Sequence, residues 1–386
     1  MLKMIDCFFI LAIFIFFSFG HLGRISFFNQ EINFYSYEIL MAIFLSYLIF
    51  NHKLRPIIKF LKANRLVFFF LLFIFISFFI NWPRYQIREN IIAFLYLGRV
   101  IFYWLFFVYF YFHFFQKKLK KEVERGLNIF AFLTIIFSLL QYLFYPNIRN
   151  IIYLGWDPHW YRMVGLFFDS YLAGTIFSLL AIYFFLKEKH LITLTFIIFT
   201  ILTFSRNIYF SFLVVLVFYL WKNKKFKEFF FFIFFFFFII LVVPKPFGES
   251  VNLKRFFTIK ARINDHQKAF SIFKKHPLMG IGYNHIGEEK IKLERVSNKF
   301  GYSHAQRGFP SSYLIVLVTT GVIGFILFFL SVKKLLFINQ FSFWGGLFLA
   351  FASLFDNVFL HPMIIFLYMF IILGNSLPPI KSRRLT

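Results

Sequence analysis

The chain has 386 residues, 60% of them hydrophobic and 25% aromatic, and a mean hydropathy of +0.75. Soluble domains are about half apolar, so this composition excludes a soluble protein and indicates a polytopic membrane protein. The formal charge of +26 gives no support to a nucleic-acid partner, because the basic residues punctuate apolar runs instead of forming one surface.

Apolar runs occupy residues 6–19, 35–50, 66–80, 92–115, 127–144, 171–186, 191–204, 208–221, 229–243, 312–331, 341–355 and 358–374. They predict an all-α integral membrane protein with about twelve transmembrane helices over residues 1–386 as a single domain. Several runs fall short of the ~20 residues that a perpendicular span needs, so their ends extend into neighbouring polar residues. No small-residue cleavage site follows the first run, which therefore reads as a helix and not as a cleavable signal. Its Cys7 is the sole cysteine, excluding an intrachain disulfide and a cysteine-based metal site. The 71 phenylalanines, including the block FFFFIFFFFF, read as lipid-facing filler.

Lysine and arginine alternate strongly between connections. Lys3, KLRPIIKFLKANR, KKLKKEVER, KEK, KNKKFK, VKK and KSRR fall on one side. The other side holds only the scattered Arg24, Arg84, Arg88, Arg149, Arg162 and Arg206. Cytoplasmic loops carry the basic excess, which places both termini in the cytoplasm and the arginine-poor connections outside. Arg99 lies within the fourth run. Residues 244–311 form a long connection between the ninth and tenth runs, placed outside by alternation and partly helical.

The unusual polar content falls on that outer side. The stretch WYRMVGLFFDSYLAG carries Arg162 and Asp169, TFSRN carries Arg206, and FDNVFLHP carries Asp356 and His361. A charge at the bilayer centre costs roughly 2.5 kcal/mol or more, so Arg206 belongs to a surface turn between the seventh and eighth runs. In the long connection, Ile263, Ala269, Phe270 and Phe273 among charges predict an amphipathic helix over 261–275 lying on the membrane surface. His276-Pro277 ends it, since the residue before proline is driven out of the α region. Gly280, Gly282 and Gly287 follow, a glycine spacing that can turn backbone N–H groups toward a phosphate.

These stretches resemble the O-antigen ligase and polymerase superfamily. RMVGLFFDSYLAG looks like its R-x-x-G-x-F motif, TFSRN like its T-x-S-R helix end, HPLMGIGYNHIG like its loop motif, and SSYLIVLVTTGVIG like the helix motif ending in G-x-x-G. Four motifs in the family's order make the resemblance strong over residues 160 to 330. The resemblance implies a GT-C-like glycosyltransferase of the bacterial cytoplasmic membrane that works without a metal or other cofactor. It would transfer a glycan from a polyprenyl diphosphate carrier to a sugar hydroxyl of a glycan or lipid-linked glycan acceptor, inverting the anomeric centre.

A diphosphate leaving group needs fixed positive partners, and arginine presents a planar fork suited to phosphate oxygens. Arg206 and Arg262 match the family's important arginines and are the candidate catalytic pair. A base is needed for the hydroxyl, and His304 is the candidate, with His276 and His285 as further histidines. Arg162, Asp169, Arg99, His276, Gly280, Gly282, Ser311 and Asp356 are candidate substrate-binding residues. Many ligases begin the helix motif with histidine where this chain has Pro310, which tilts the reading from ligase toward repeat-unit polymerase. A lipid-carrier flippase or transporter is the alternative; the concentration of polar groups on one face favours the enzyme.

Overall fold

The computed structural model describes residues 2–27, 31–154, 159–224, 257–294 and 308–375, with isolated positions between 227 and 242. Fourteen helices form among the described residues: α1 (Leu2–Ser18), α2 (Ser36–His52), α3 (Arg55–Ala63), α4 (Arg65–Asn81), α5 (Ile87–Lys117), α6 (Lys120–Phe144), α7 (Ser170–Leu186), α8 (His190–Leu202), α9 (Arg206–Lys222), α10 (Phe257–Lys275), α11 (Ile286–Glu294), α12 (Ser312–Leu336), α13 (Gln340–Ala352) and α14 (Pro362–Gly374). α4 with the turn that follows it, α5, α6 and α12 are long and apolar enough to cross a bilayer, and α1, α7, α8, α13 and α14 contain shorter apolar helices. Helices satisfy every backbone group internally, which lipid demands. The ninth run, 229–243, lies mostly outside the described residues.

One element departs from the all-α expectation. β1 (Arg24–Phe27) and β2 (Ile32–Tyr35) pair antiparallel, from Arg24 opposite Tyr35 to Phe27 opposite Ile32. The segments RISF and INFY are rich in the β-branched and aromatic residues that suit strands.

α7 sits at the centre. Every residue from Leu172 to Phe184 is buried, as expected for a helix that is apolar all round. In lipid, apolar burial does not by itself drive helices together, so association rests on close packing and interhelical bonds. Phenylalanine supplies much of that packing: Phe14, Phe17, Phe106, Phe110 and Phe130 are fully buried. Phe17 meets Phe130 and Phe366 at 4.8 and 4.5 Å, and Phe110 meets Phe370 at 4.9 Å. Each such pair contributes about 0.5–1.5 kcal/mol beyond its area. Lipid-facing filler is therefore half the story: Phe230, Phe231, Phe234 and Phe238 are exposed, whereas the rings of α1, α5 and α14 lock the bundle.

The helices rise and descend so that one end of the bundle gathers the C-termini of α4, α8 and α13 and the N-termini of α7, α9, α12 and α14. There Met163 N–H donates to Leu202 O at 3.0 Å and Ser312 N–H to Ser353 O at 3.1 Å. At the opposite end, buried Asp6, His113 and His52 form a chain. Asp6 Oδ1 lies 2.9 Å from His113 Nε2, and His113 Nδ1 lies 2.8 Å from His52 Nε2.

Candidate functional site

α8 ends at Leu202, and three residues later the chain has reversed into α9. Phe204 takes a left-handed backbone, φ 50°, and Thr203 Oγ1 donates to Thr200 O at 2.7 Å. Arg206 is thus the first residue of α9, where unpaired helix N–H groups and the helix dipole favour an anion. The expected tight turn is present, and Arg206 stands at the loop end of the bundle.

α10 brings a second guanidinium to the same place. It runs Phe257–Lys275, longer than the predicted 261–275, and stops before His276-Pro277 as expected. Its inner face differs from the prediction: Ala269 and Ile272 are buried against Ile281, Ile286, Phe309 and Val318, while Ile263 and Phe270 are exposed. Arg262 lies two turns before Ala269 and so shares the docked face. Its Nη2 pairs with Asp356 Oδ1 at 2.8 Å. Asn207 Nδ2 donates to Asp356 Oδ2 at 2.7 Å and to Ala352 O at 2.9 Å. Burial pushes the Asp356 carboxyl up, against the pull of Arg262 and Asn207. Arg206 and Arg262 are electrostatic neighbours that repel one another. Two like charges held close at a helix N-terminus form a natural anion site.

Arg162 borders this group. It is buried, its Nη1 donates to Ser170 Oγ at 3.0 Å, and its charge acts on Tyr209 in the first turn of α9. The segment it sits on is fixed by Gln141, whose side-chain amide donates to Arg162 O and accepts from the N–H groups of Val164 and Gly165. Asp169 is the N-cap of α7, accepting from Tyr171 N–H at 2.9 Å and Leu172 N–H at 3.4 Å. A carboxylate at this position caps the first turn of the helix.

The glycine loop does something other than present N–H groups to a phosphate. It docks onto a break in α12, where Gly321 has φ 66° and ψ −170°. Gly280 N–H donates to His276 O, Ile281 N–H to Val318 O, Gly282 N–H to Thr319 O, and Val322 N–H to Pro277 O, at 2.9–3.1 Å. A Cβ on Gly280 would lie 2.4 Å from the Thr319 carbonyl carbon, and one on Gly321 2.3 Å from Leu278 O. Ser77 Oγ of α4 donates to Met279 O at 2.6 Å, and Asn81 Nδ2 to Gly280 O at 3.2 Å. Arg84 bonds His276 Nδ1 at 3.1 Å, and burial, with Arg84, holds that imidazole below its ordinary range. His285 stacks on Tyr85 at 4.0 Å and meets Asn90 Oδ1 at 3.1 Å. Both histidines take part in docking the loop.

Ser311 Oγ donates to Ser353 O at 2.9 Å, tying the start of α12 to the connection that carries Asp356. Arg99 lies in α5, paired with Glu38 of α2 at 2.6 Å; Tyr103 OH also donates to that carboxylate at 2.7 Å. His304 lies outside the described residues. Among the described residues no group of three or more His, Cys, Asp or Glu side chains could hold a metal ion.

Sequence reasoning missed Asn207, Glu38, Gln141, Ser77 and Asn81. Each is a polar residue within or at the end of an apolar run, and that interruption is the trace a reader could have followed.

Residues 191–329 match the family model described as O-antigen ligase, in line with the resemblance of the sequence motifs over residues 160 to 330. The match begins in α8 and ends in α12, and so includes Arg206, Arg262 and the docked loop. No curated protein matches the chain.

Proposed function

We propose that this membrane protein of the O-antigen ligase/polymerase superfamily is a glycosyltransferase that moves a glycan from a polyprenyl diphosphate carrier to a sugar hydroxyl. Repeat-unit polymerisation is favoured over transfer to lipid A–core. The observation that carries the reading is the convergence of Arg206, at the N-terminus of α9, with Arg262 of α10, next to the buried Asp356. Two guanidinium groups held against their own repulsion suit a ligand that brings several negative charges, and a diphosphate does so. As the glycosidic C–O bond breaks, negative charge grows on the leaving diphosphate and these fixed cations gain interaction energy, which lowers the barrier. Arg162, beside α9, extends the positive lining. Asp356 orients Arg262, and Asn207 orients Asp356.

The sidedness of the basic connections supports an active site on the outer face of the bacterial cytoplasmic membrane with both termini in the cytoplasm. The acceptor is a glycan or a lipid-linked glycan. Arg206→Ala, expressed in place of the native chain in a polysaccharide-producing host, abolishes long-chain polymer on a blot. Arg206→Lys also fails, because a point charge does not reproduce the bidentate fork. Unchanged polymer abundance and chain length in both variants would sink the assignment.

A further inference from the structure

The end of the bundle away from Arg206 holds a crevice that the transfer reaction does not use. Ala181 and Leu186 of α7, Ile197 of α8, Leu216 and Tyr219 of α9 and Trp344 of α13 line it, and the space, counted out to its open mouth, is about 430 Å³. Tyr219 follows Arg206 by thirteen residues, about 20 Å along α9, so the two sites are separate. Ala181, Ile197 and Trp344 form a buried floor, while Leu186, Leu216 and Tyr219 are half-buried at the rim. Tyr219 packs edge-on against Phe185 and Trp344, at 5.1 Å each. Thr193 also borders the space, but its Oγ1 donates to Lys189 O at 2.9 Å. The crevice therefore offers an occupant apolar surface and little hydrogen bonding.

Lysines stand at its edge. Lys222 Nζ lies 5.2 Å from the ring centre of Phe343 and 5.6 Å from that of Trp344, and Lys189 Nζ lies 5.6 Å from that of Phe184. Both lysines are exposed. Neither forms an ion pair among the described residues, whereas the neighbouring Lys187 is paired with Glu124 at 2.8 Å. Aromatic faces hold the two ammonium groups in place and leave their N–H donors for an anion.

The surroundings say what fits there. α8 has 13 residues, about 20 Å of helix against a hydrocarbon core of about 30 Å. A helix this short is met in lipid by local thinning of the bilayer, which brings headgroups toward the crevice. Trp221, 64% exposed beside Lys222, marks the same level, since tryptophan favours the membrane–water boundary. An acyl chain is narrow and apolar and needs no hydrogen bond, and a phosphate supplies the anion that Lys189 and Lys222 are placed to meet.

We propose that this crevice binds an anionic phospholipid, with one acyl chain seated between α7, α8, α9 and α13 and the phosphate on Lys189 and Lys222. The lipid comes from the leaflet at the end of the bundle that bears the KEK and KNKKFK connections, and the site is independent of the glycosyl-transfer reading. Its chain fills a gap that the side chains of the four helices leave, completing their packing.

The test uses the full chain in phosphatidylcholine nanodiscs with rising fractions of phosphatidylglycerol carrying brominated acyl chains, which quench tryptophan on contact. Of the six tryptophans, the Trp344 signal is taken as the difference between wild type and Trp344→Phe. Half-quenching of Trp344 needs about three- to thirtyfold less brominated phosphatidylglycerol than brominated phosphatidylcholine. Lys189→Gln combined with Lys222→Gln, at exposed positions, removes more than half of that preference. A preference under about threefold, no quenching of Trp344, or a lysine variant that keeps half the preference or more overturns the proposal. Undecaprenyl diphosphate that displaces the brominated phosphatidylglycerol at equal mole fraction assigns the crevice to the carrier chain and overturns it too. Should Trp344→Phe not fold, native mass spectrometry decides. The wild-type chain retains at least one phosphatidylglycerol through detergent washing that the lysine variant releases, and equal retention overturns the proposal.

Discussion

Arg262 and Asp356, separated by 94 residues in sequence, meet at 2.8 Å and pin α10 onto the mouth of the bundle. The carboxylate is buried while the guanidinium is part-exposed, so the pair is asymmetric. Arg262→Ala leaves a buried acceptor short of a partner and costs about 1–3 kcal/mol. Asp356→Asn in the same chain recovers part of that loss, because no unpaired charge remains. A double-mutant cycle read by thermal unfolding in detergent gives a coupling of about 0.5–3 kcal/mol; strictly additive losses would show that the contact carries no energy. Because burial already raises the Asp356 carboxyl, the Arg262→Ala protein regains stability as the pH falls and the acid becomes neutral.

Gly280 and Gly321 hold the loop against the break in α12, each with positive φ and each facing main-chain atoms closer than 3.0 Å to where a Cβ would stand. Alanine adds about 1–2 kcal/mol of left-handed strain at either position, and the clash with backbone cannot be relieved by a rotamer change. Gly280→Ala and Gly321→Ala therefore release residues 277–282, read as new protease cleavage in that stretch. Gly98 and Gly308 have open space around the same atom, and alanine there leaves the digestion pattern unchanged. Equal cleavage in all four variants would contradict this account.

The helices were legible because hydropathy reports length and burial directly; the predicted run 171–186 and α7, Ser170–Leu186, differ by one residue. The end of α10 was legible from His276-Pro277 through a local backbone rule. The docking of the glycine loop was not, since the partners of Gly280 and Gly282 are main-chain groups of α12, roughly forty residues on, and backbone carbonyls leave no mark in a sequence. Arg262 could be chosen by resemblance, but its pairing with Asp356 depends on which face of α10 is docked. That choice turned on Ile272, absent from the predicted apolar stripe. Asp169, read as a substrate group, also caps α7, a role that its place immediately before a helix announces.

Arg99 and Glu38 form an ion pair with side chains 12% and 6% exposed, and Tyr103 and the Tyr35 N–H add to the same carboxylate. Breaking a buried pair from one side costs about 3–5 kcal/mol, because the remaining charge has lost its partner. Arg99→Ala therefore unfolds at markedly lower temperature, and Arg99→Met with Glu38→Gln recovers most of the loss. Undecaprenyl diphosphate binding in that double variant separates the two roles of Arg99. Retained affinity assigns it to structure, and lost affinity with recovered stability assigns it to the carrier.

The stacked His285 makes the loop acid-sensitive. Burial pushes its imidazole down to about 4 from an ordinary 6.5, so between those pH values the unfolded chain binds a proton that the folded chain does not. Stability therefore rises with pH across that window, is complete above about 6.5, and is lost as the pH falls toward 4. The full difference is on the order of 3 kcal/mol at 1.36 kcal/mol per pH unit. Hydrogen exchange at residues 277–282 accelerates between pH 7 and pH 5 in the wild-type chain. His285→Phe keeps a ring on Tyr85 but cannot take a proton, and it flattens most of that dependence. His276, lowered in the same direction, accounts for a smaller remainder that His276→Gln removes. An acid dependence unchanged in the His285→Phe chain would place the titrating group elsewhere.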